Sequence, residues 1–416
     1  MNKRFENNNK FETILHMILE NALRDRFEGI DPYDGLNTDL FEPLLKHSRA
    51  ARLFVIQMVK RSPFNLRSLL RIRSEKNPKG LALFLSGLSD YPLLDESGAI
   101  RKQLIDSLIG MASAPDGSAL FSQDREAVEV MLYDPGDGSK LLDRPAGWGY
   151  NFPWQSRKFL NPPFFPTVVC TSFVVDAFLR SGSHLAPDVA LAAANFVDQH
   201  LNRHTDDTGV CFSYSPSDHT RVYNASLFGA KILTEGSEFN HEEAERWRGL
   251  AKHAVNYVVS RQNSDGSWQY GEAEHWKWID NLHTGFILET VGAVSRTLGT
   301  DEWDEYLIKG LNYYRSNLFE SDGTAKYYSE KKYPLDPHSF AQGALTFLKL
   351  SRYVPDSERM ARSILEKAVE LLWDEKREGF IFRRNRFFAN RTIYLRWSQA
   401  WMFRALSLFA RQTYQD

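Results

Sequence analysis

Cysteine is scarce in this chain: Cys170 and Cys211 are the only two in 416 residues. Neither sits in a Cys-x-x-Cys or Cys/His ligand spacing, so neither a disulfide-stapled fold nor a cysteine metal site is expected. A surplus of one charge is also missing. A net charge of −2 lacks the electrostatic footprint of a nucleic-acid or anionic-membrane binder. The local basic cluster Arg383, Arg384 and Arg386 has acidic neighbours and reads as a solvated face. No run of 18 apolar residues occurs, so no membrane-spanning helix is expected. The opening MNKRFENNNKFE lacks the apolar centre of a signal peptide. The expected location is therefore the cytoplasm, and nothing calls for a cofactor or a metal. Aromatic residues, by contrast, are plentiful: 28 Phe, 17 Tyr and 10 Trp. That is more Trp and Tyr than a helical core needs, and it suits a ligand cavity with flat apolar walls.

A repeat organises the chain. Four turns align, at Asp207-Thr208-Gly209, Asp265-Gly266, Asp322-Gly323 and Glu378-Gly379, and their glycines are 57, 57 and 56 residues apart. Each follows an amphipathic segment: Val189 to Leu201, Glu243 to Arg261, Trp303 to Leu318, Ser363 to Trp373. Glycine after such a run stops a helix, because it adopts left-handed backbone angles at no steric cost. Fifteen residues past the four glycines stand Asn224, Asn281, His338 and Tyr394, each opening a second apolar helix. The unit is a helical hairpin with a long turn. Gly80 to Leu88 with Ile100 to Ala112 forms an earlier pair, and Phe165 to Leu179 opens another. Inner-type helices then start near 80, 168, 224, 281, 338 and 394. Six hairpins predict an all-α (α/α)6 toroid, since a hairpin alone leaves an apolar face exposed and ring closure buries it. An open superhelix is the alternative. The expected organisation is one domain over 1–416, with irregular N-terminal helices in 1–75 that supply the closing partner and a Pro/Gly-rich insertion at 114–166.

The second of these turns, His253 to Trp268, places Ala254, Tyr257, Val258, Gln262, Gly266 and Trp268 at the spacing of the QW motif of triterpene cyclases. It also resembles the Gln-x-x-Asp-Gly-Ser-Trp turns of protein prenyltransferase β subunits. In those families the motif is a brace, which implies that Gln262 ties helix-end backbone groups and Trp268 stacks on the neighbouring hairpin. The chemistry of those families is not matched. The string His204-Thr205-Asp206-Asp207 lacks the first Asp of a cyclase acid, and neither an Asp-Asp-x-x-Asp site nor a zinc set of Asp, Cys and His appears. The resemblance therefore concerns the fold. Sugar-active proteins use the same double ring, among them six-hairpin hydrolases, uronate lyases and sugar epimerases. The segment Asp31-Pro32-Tyr33-Asp34-Gly35-Leu36-Asn37 is similar to one near the start of toroid proteins from bacterial capsule and exopolysaccharide biosynthesis clusters.

In such toroids the helix after the glycine turn is the inner one, and its N-terminal end faces the mouth; this orientation comes from the resemblance. The catalytic candidates there are Asp280, His283, Asp336 and His338. Asp280 and His283 are three apart and share a helix face. Asp336 and His338 repeat the acid/imidazole pairing one hairpin along. Two such pairs could serve as acid and base at a sugar carbon or glycosidic oxygen, imidazole titrating near neutrality. Each Asp is equally a good helix cap, Asp336 being followed by Pro337. The substrate-binding candidates are Trp148, Tyr150, Arg157, Arg221, Tyr223, Asn224, Trp278, Asn281, Tyr394, Arg396 and Trp397. Arginines grip carboxylates or phosphates through paired hydrogen bonds, while Trp and Tyr suit the apolar face of a pyranose. The expected partner is a saccharide or polysaccharide. The leading expectation is a carbohydrate-directed lyase, hydrolase or epimerase of a surface-polysaccharide pathway. Two alternatives stay open: an inert toroid that binds a polysaccharide or a protein, and an isoprenoid-binding cyclase- or transferase-like protein.

Overall fold

The computed structural model describes residues 2–62, 64–121, 140–156 and 159–414. Among them are fourteen α-helices: α1 (Asn2–Arg24), α2 (Glu42–His47), α3 (Arg49–Arg61), α4 (Pro78–Asp90), α5 (Ala99–Ile109), α6 (Val168–Ser181), α7 (Ala186–His200), α8 (Tyr223–Gly236), α9 (Ala244–Val259), α10 (Asn281–Leu298), α11 (Asp304–Asn317), α12 (Pro337–Lys349), α13 (Ser357–Leu372) and α14 (Trp401–Tyr414). A π-helical segment, Leu395–Ala400, leads into α14.

Helices α4, α6, α8, α10, α12 and α14 are buried on most sides, as helices enclosed by others must be; in α12 every residue from Pro337 to Leu348 is buried. Each packs on the next, and α14 returns to α4, which closes a ring of six. The outer helices are more polar. α5 lies on α4, α7 on α6, α9 on α8, α11 on α10 and α13 on α12, while N-terminal α1 covers α14. The chain thus forms an α/α toroid of six hairpins whose last pair joins its two ends. One apolar core runs from Phe11 to Ala410, and a small second cluster (Leu36, Val55, Ile56, Val59, Leu70 and others) holds the segment between α1 and α4.

The repeated glycines work by close approach as well as by turning. Gly209, Gly266 and Gly323 have φ of 150°, 94° and 89°. A Cβ on Gly266 would lie 2.5 Å from the Lys309 carbonyl oxygen in α11; on Gly209 it would strike the His253 carbonyl in α9, and on Gly323 the Ser363 backbone in α13. Each turn therefore rests on the backbone of the next outer helix, which only glycine allows. The fourth turn departs from this: Glu378, not Gly379, takes the positive φ, of 48°, and its carbonyl accepts a bond from Asn21 of α1. In the second turn Gln262 donates to the carbonyls of Gly266 and Tyr306, both at 3.0 Å, and Trp268 to that of Val258 at 2.9 Å. These contacts brace neighbouring hairpins.

The long turns of the hairpins also hold strands. β3 (Arg203–Asp206) and β4 (Gly209–Phe212) pair antiparallel around the first glycine, and β5 (Trp373–Asp374), β6 (Gly379–Arg384) and β7 (Ala389–Ile393) form a three-stranded sheet around the fourth. In the insertion β1 (Trp154–Gln155) pairs with β2 (Leu160–Asn161). Apolar runs as short as Gly-Phe-Ile-Phe are ambiguous by periodicity alone. Among the described residues no helix is long and apolar enough to cross a membrane.

Candidate functional site

The long connections, from each outer helix to the next inner one, gather at the N-terminal end of the inner ring. Two caps set this end. Asp280 accepts the His283 backbone N–H at 2.9 Å and starts α10; Asp336 accepts that of His338 at 3.0 Å and starts α12, with Pro337 first in the helix. Asn77 does the same for α4, followed by Pro78 and Lys79. Asn77-Pro78-Lys79 thus matches Asp336-Pro337-His338, and it brings Lys79 and His338 to the same helical position on two inner helices.

Rings connect the mouth into one surface. Trp278 stacks on Tyr270 at 4.8 Å, and Tyr270 meets His283 edge-on at 4.4 Å. Phe286 lies between the imidazoles, 6.0 Å from His283 and 6.1 Å from His338. His338 stacks on Trp401 at 4.1 Å and meets Trp397 at 4.8 Å. From Trp397 the path continues to Tyr33, then Trp154, then Tyr150. Elements distant in the chain, α10, α12, the π-helical segment, the N-terminal segment and the insertion, therefore converge on one aromatic cluster.

The two acid/imidazole pairs differ. His283 Nδ1 lies 2.7 Å from Asp280 Oδ2, and that oxygen also accepts the Trp278 indole N–H at 3.0 Å. The expected repeat of this pairing at Asp336 and His338 does not form. A spacing of two turns the side chains apart, where three aligns them. Asp336 instead accepts Arg383 Nε at 2.7 Å and Trp397 Nε1 at 3.0 Å. His338 is 3% exposed, and neither ring nitrogen has a hydrogen-bond partner; Arg383 Nη2 is likewise buried and unpartnered.

Charge explains the protonation states. Burial first, then the cations Lys79 and Arg396, push His338 well below the ordinary histidine range. Burial raises Asp280, but the charge and hydrogen bonds of His283 outweigh it and leave the carboxyl below its usual value. Lys79 is pushed down to about 7 by burial and by Arg396. Its Nζ faces rings rather than carboxylates, with Phe173, Trp401 and Phe286 centroids at 4.2, 5.3 and 5.4 Å. Arg396 is held by both oxygens of Asp31, at 2.5 and 2.9 Å.

The remaining predicted residues divide. Tyr150, Trp278 and Trp397 belong to the ring path, and Arg396 lies over Tyr150 and Trp397. Tyr394 is buried, accepting from Arg67 at 3.2 Å. Trp148 is fully buried with its indole on the Leu108 carbonyl at 2.7 Å, and Asn281 reaches outward to Tyr314 and the Leu318 carbonyl; both tie hairpins together and stand apart from that path. Arg221 pairs with Glu272 and His204 on the flank by β3 and β4, and Tyr223 faces the same group. Asn224 is buried with its Oδ1 unpartnered, and no contact ties it to the ring path. Arg157 lies outside the described residues. Side chains missed by the sequence reading are Lys79, Tyr33, Trp154, Tyr270 and Arg383. Arg383, expected on a solvated face, is instead mostly buried against Asp336. Its place in a Phe-Ile-Phe-Arg strand was the available signal. Among the described residues no cluster of three or more His, Cys, Asp or Glu side chains could hold a metal ion.

No known protein-family profile matches the chain, and no curated protein matches it in sequence. Solved structures do match in fold. A protein of Salmonella enterica serovar Paratyphi A, described as a possible member of the GH105 family, aligns at TM-score 0.58 and 11% identity, over 97% of this chain and 94% of that one. An unsaturated glucuronyl hydrolase specific for heparin aligns at 0.57 and 11%, over 98% and 97%. Cellobiose 2-epimerase from Bacillus thermoamylovorans aligns at 0.56 and 10%, over 82% and 90%. At these identities the likeness is one of fold.

Proposed function

We propose that the chain is a carbohydrate-directed enzyme that transfers protons at a sugar carbon, with imidazoles rather than a carboxylate pair as acid and base. The observation that carries this reading is His338: a buried imidazole with both nitrogens unpartnered, packed against aromatic faces and within electrostatic reach of Arg383, whose Nη2 is also unpartnered. Buried polar groups are costly unless bonded, and the hydroxyls and acidic group of a saccharide would satisfy them. Neutral His338 is the base. His283, oriented through Nδ1 by Asp280, is the second acid–base group, and its Nε2 has no partner among the described residues. Trp278, Trp397, Trp154 and Tyr150 offer flat faces to a pyranose. Arg383 and Lys79 favour an anionic sugar such as a uronate.

A two-carboxylate hydrolase fits less well. It needs one carboxyl kept protonated, whereas Asp280 is held below its usual range and Asp336 accepts from Arg383, Trp397 and the His338 backbone. Epimerisation is the reaction class that this set of groups supports best, and an epimerase is among the similar folds. A role in a surface-polysaccharide pathway follows from the Asp31–Asn37 resemblance. Asp31 anchors Arg396 and Tyr33 covers Trp397 in this same mouth. The test is incubation in deuterated water with uronate-bearing, acetylated and neutral oligosaccharides, followed by NMR. Deuterium should enter one carbon, and His338→Ala or His283→Ala should slow entry by roughly 10²–10⁴-fold. Binding without exchange across the panel would make this a binding toroid and refute the enzyme reading.

A further inference from the structure

The mouth uses only the first turn of each inner helix, yet the toroid is hollow at its other end. A cavity of about 650 Å³ opens there, within the range of small-molecule sites. The sequence of α10 gives its depth. His283 belongs to the mouth, Phe286 to a dividing wall, and Glu289, Ala293 and Arg296 to the cavity; at about 1.5 Å per residue the last three lie roughly 9–20 Å beyond His283. The wall is a cluster of Phe173, Phe228, Phe286 and Trp401, with ring centroids 5.3–5.9 Å apart. Lys79 and His338 touch it on the mouth side, and the cavity opens on the other.

The lining is charged and uneven. Its cations are Arg180, Lys231, Arg296, Lys349, Arg352 and Arg404; its carboxylates are Asp176, Glu235 and Glu289. Asp90 and Asp304 pair with Arg404 and Arg352 from outside the lining, and Asp90 also holds Arg411. Counting all of these, cations exceed carboxylates seven to five. Two guanidiniums keep donors to spare, Arg404 through the nitrogen that Asp90 and Ser86 leave unused. Arg404 is 2% exposed and its Nη2 has no partner, while Arg296, at the rim, has no carboxylate partner among the described residues and reaches only the Lys349 carbonyl, at 3.4 Å. Glu235 Oε2, also unpartnered and buried, adds an acceptor.

We infer that this cavity is a second binding site, separate from the mouth, for a small organic anion whose carboxylate or phosphate meets Arg404 and whose body rests on the aromatic wall. The inference does not depend on the chemistry proposed for the mouth. Calorimetric titration of the full chain with glucuronate, glucose 6-phosphate, inorganic phosphate and neutral glucose tests it. Glucuronate or glucose 6-phosphate should bind saturably, which tells carboxylate from phosphate, and glucose should not. Arg404→Gln should weaken binding at least tenfold, Ala293→Trp should block it by filling the cavity, and Trp278→Ala, at the mouth and away from the wall, should leave it unchanged. Should Arg404→Gln fail to fold, Arg296→Gln and Ala293→Trp carry the test. The inference is overturned if neither organic anion binds, if glucose or inorganic phosphate binds as well as they do, if binding survives Ala293→Trp, or if Trp278→Ala abolishes it.

Discussion

Replacing Lys79 with methionine should stabilise the protein while impairing its mouth. Lys79 is buried, its pKa is pushed down to about 7, and among the described residues no carboxylate pairs with it. In the unfolded chain the same amine titrates near 10.5, so between pH 7 and 10.5 unfolding takes up a proton. Stability from this residue is therefore lowest at pH 7 and below, and rises with pH across that window. The slope is about 1.4 kcal/mol per pH unit, which over the window amounts to roughly 5 kcal/mol. Lys79→Met should accordingly raise the unfolding free energy by up to about 5 kcal/mol at pH 7. The assay is guanidinium unfolding of both proteins at pH 7, 8, 9 and 10. Their difference should shrink with each step and vanish near pH 10.5. A difference that is flat with pH, or a variant less stable throughout, would refute the placement of an unpaired ammonium in that buried site.

Other expectations follow from the same contacts. Asp31→Ala removes the carboxylate that, among the described residues, alone pairs with buried Arg396, and chemical denaturation should show a loss of about 3–5 kcal/mol. Gly266→Ala forces a Cβ against the Lys309 carbonyl at φ of 94°, and should cost about 1–3 kcal/mol by the same assay. Asp280→Asn keeps a cap yet loses the charge that orients His283; kcat should fall well beyond any change in melting temperature. His338 is depressed in the fold, so the unfolded chain binds more protons below about pH 6.5. Wild-type stability relative to His338→Gln should thus be full above that pH and decline as pH falls beneath it, as paired denaturation curves from pH 5 to 7.5 would reveal.

The ring was readable because it depends on apolar patterning and on glycine. The spacing of Gly209, Gly266 and Gly323 reports where backbone meets backbone, so the six inner helices could be counted from it. The site was only partly readable. Asp280 and His283 declare their contact through a spacing of three, whereas the spacing of two at Asp336 and His338 looked alike on the page and gave a different arrangement. Lys79 could have been found by comparing Asn77-Pro78-Lys79 with Asp336-Pro337-His338. Tyr33, Trp154 and Arg383 reach the mouth through loops and a strand, and their neighbours are set by ring closure rather than by local pattern. Trp148 and Asn281 carry the composition of a binding surface, but their partners, Leu108 and Tyr314, lie on outer helices or their ends.

The most direct measurement is a crystal structure of the protein with a bound uronate-bearing oligosaccharide. The account predicts one sugar ring at the N-terminal end of the inner helices, hydrogen-bonded to His338 and within reach of His283 and Arg383, its apolar face on Trp397 or Trp278. A sugar seated on the outer wall, or bound at the mouth with both imidazoles out of reach, would contradict it.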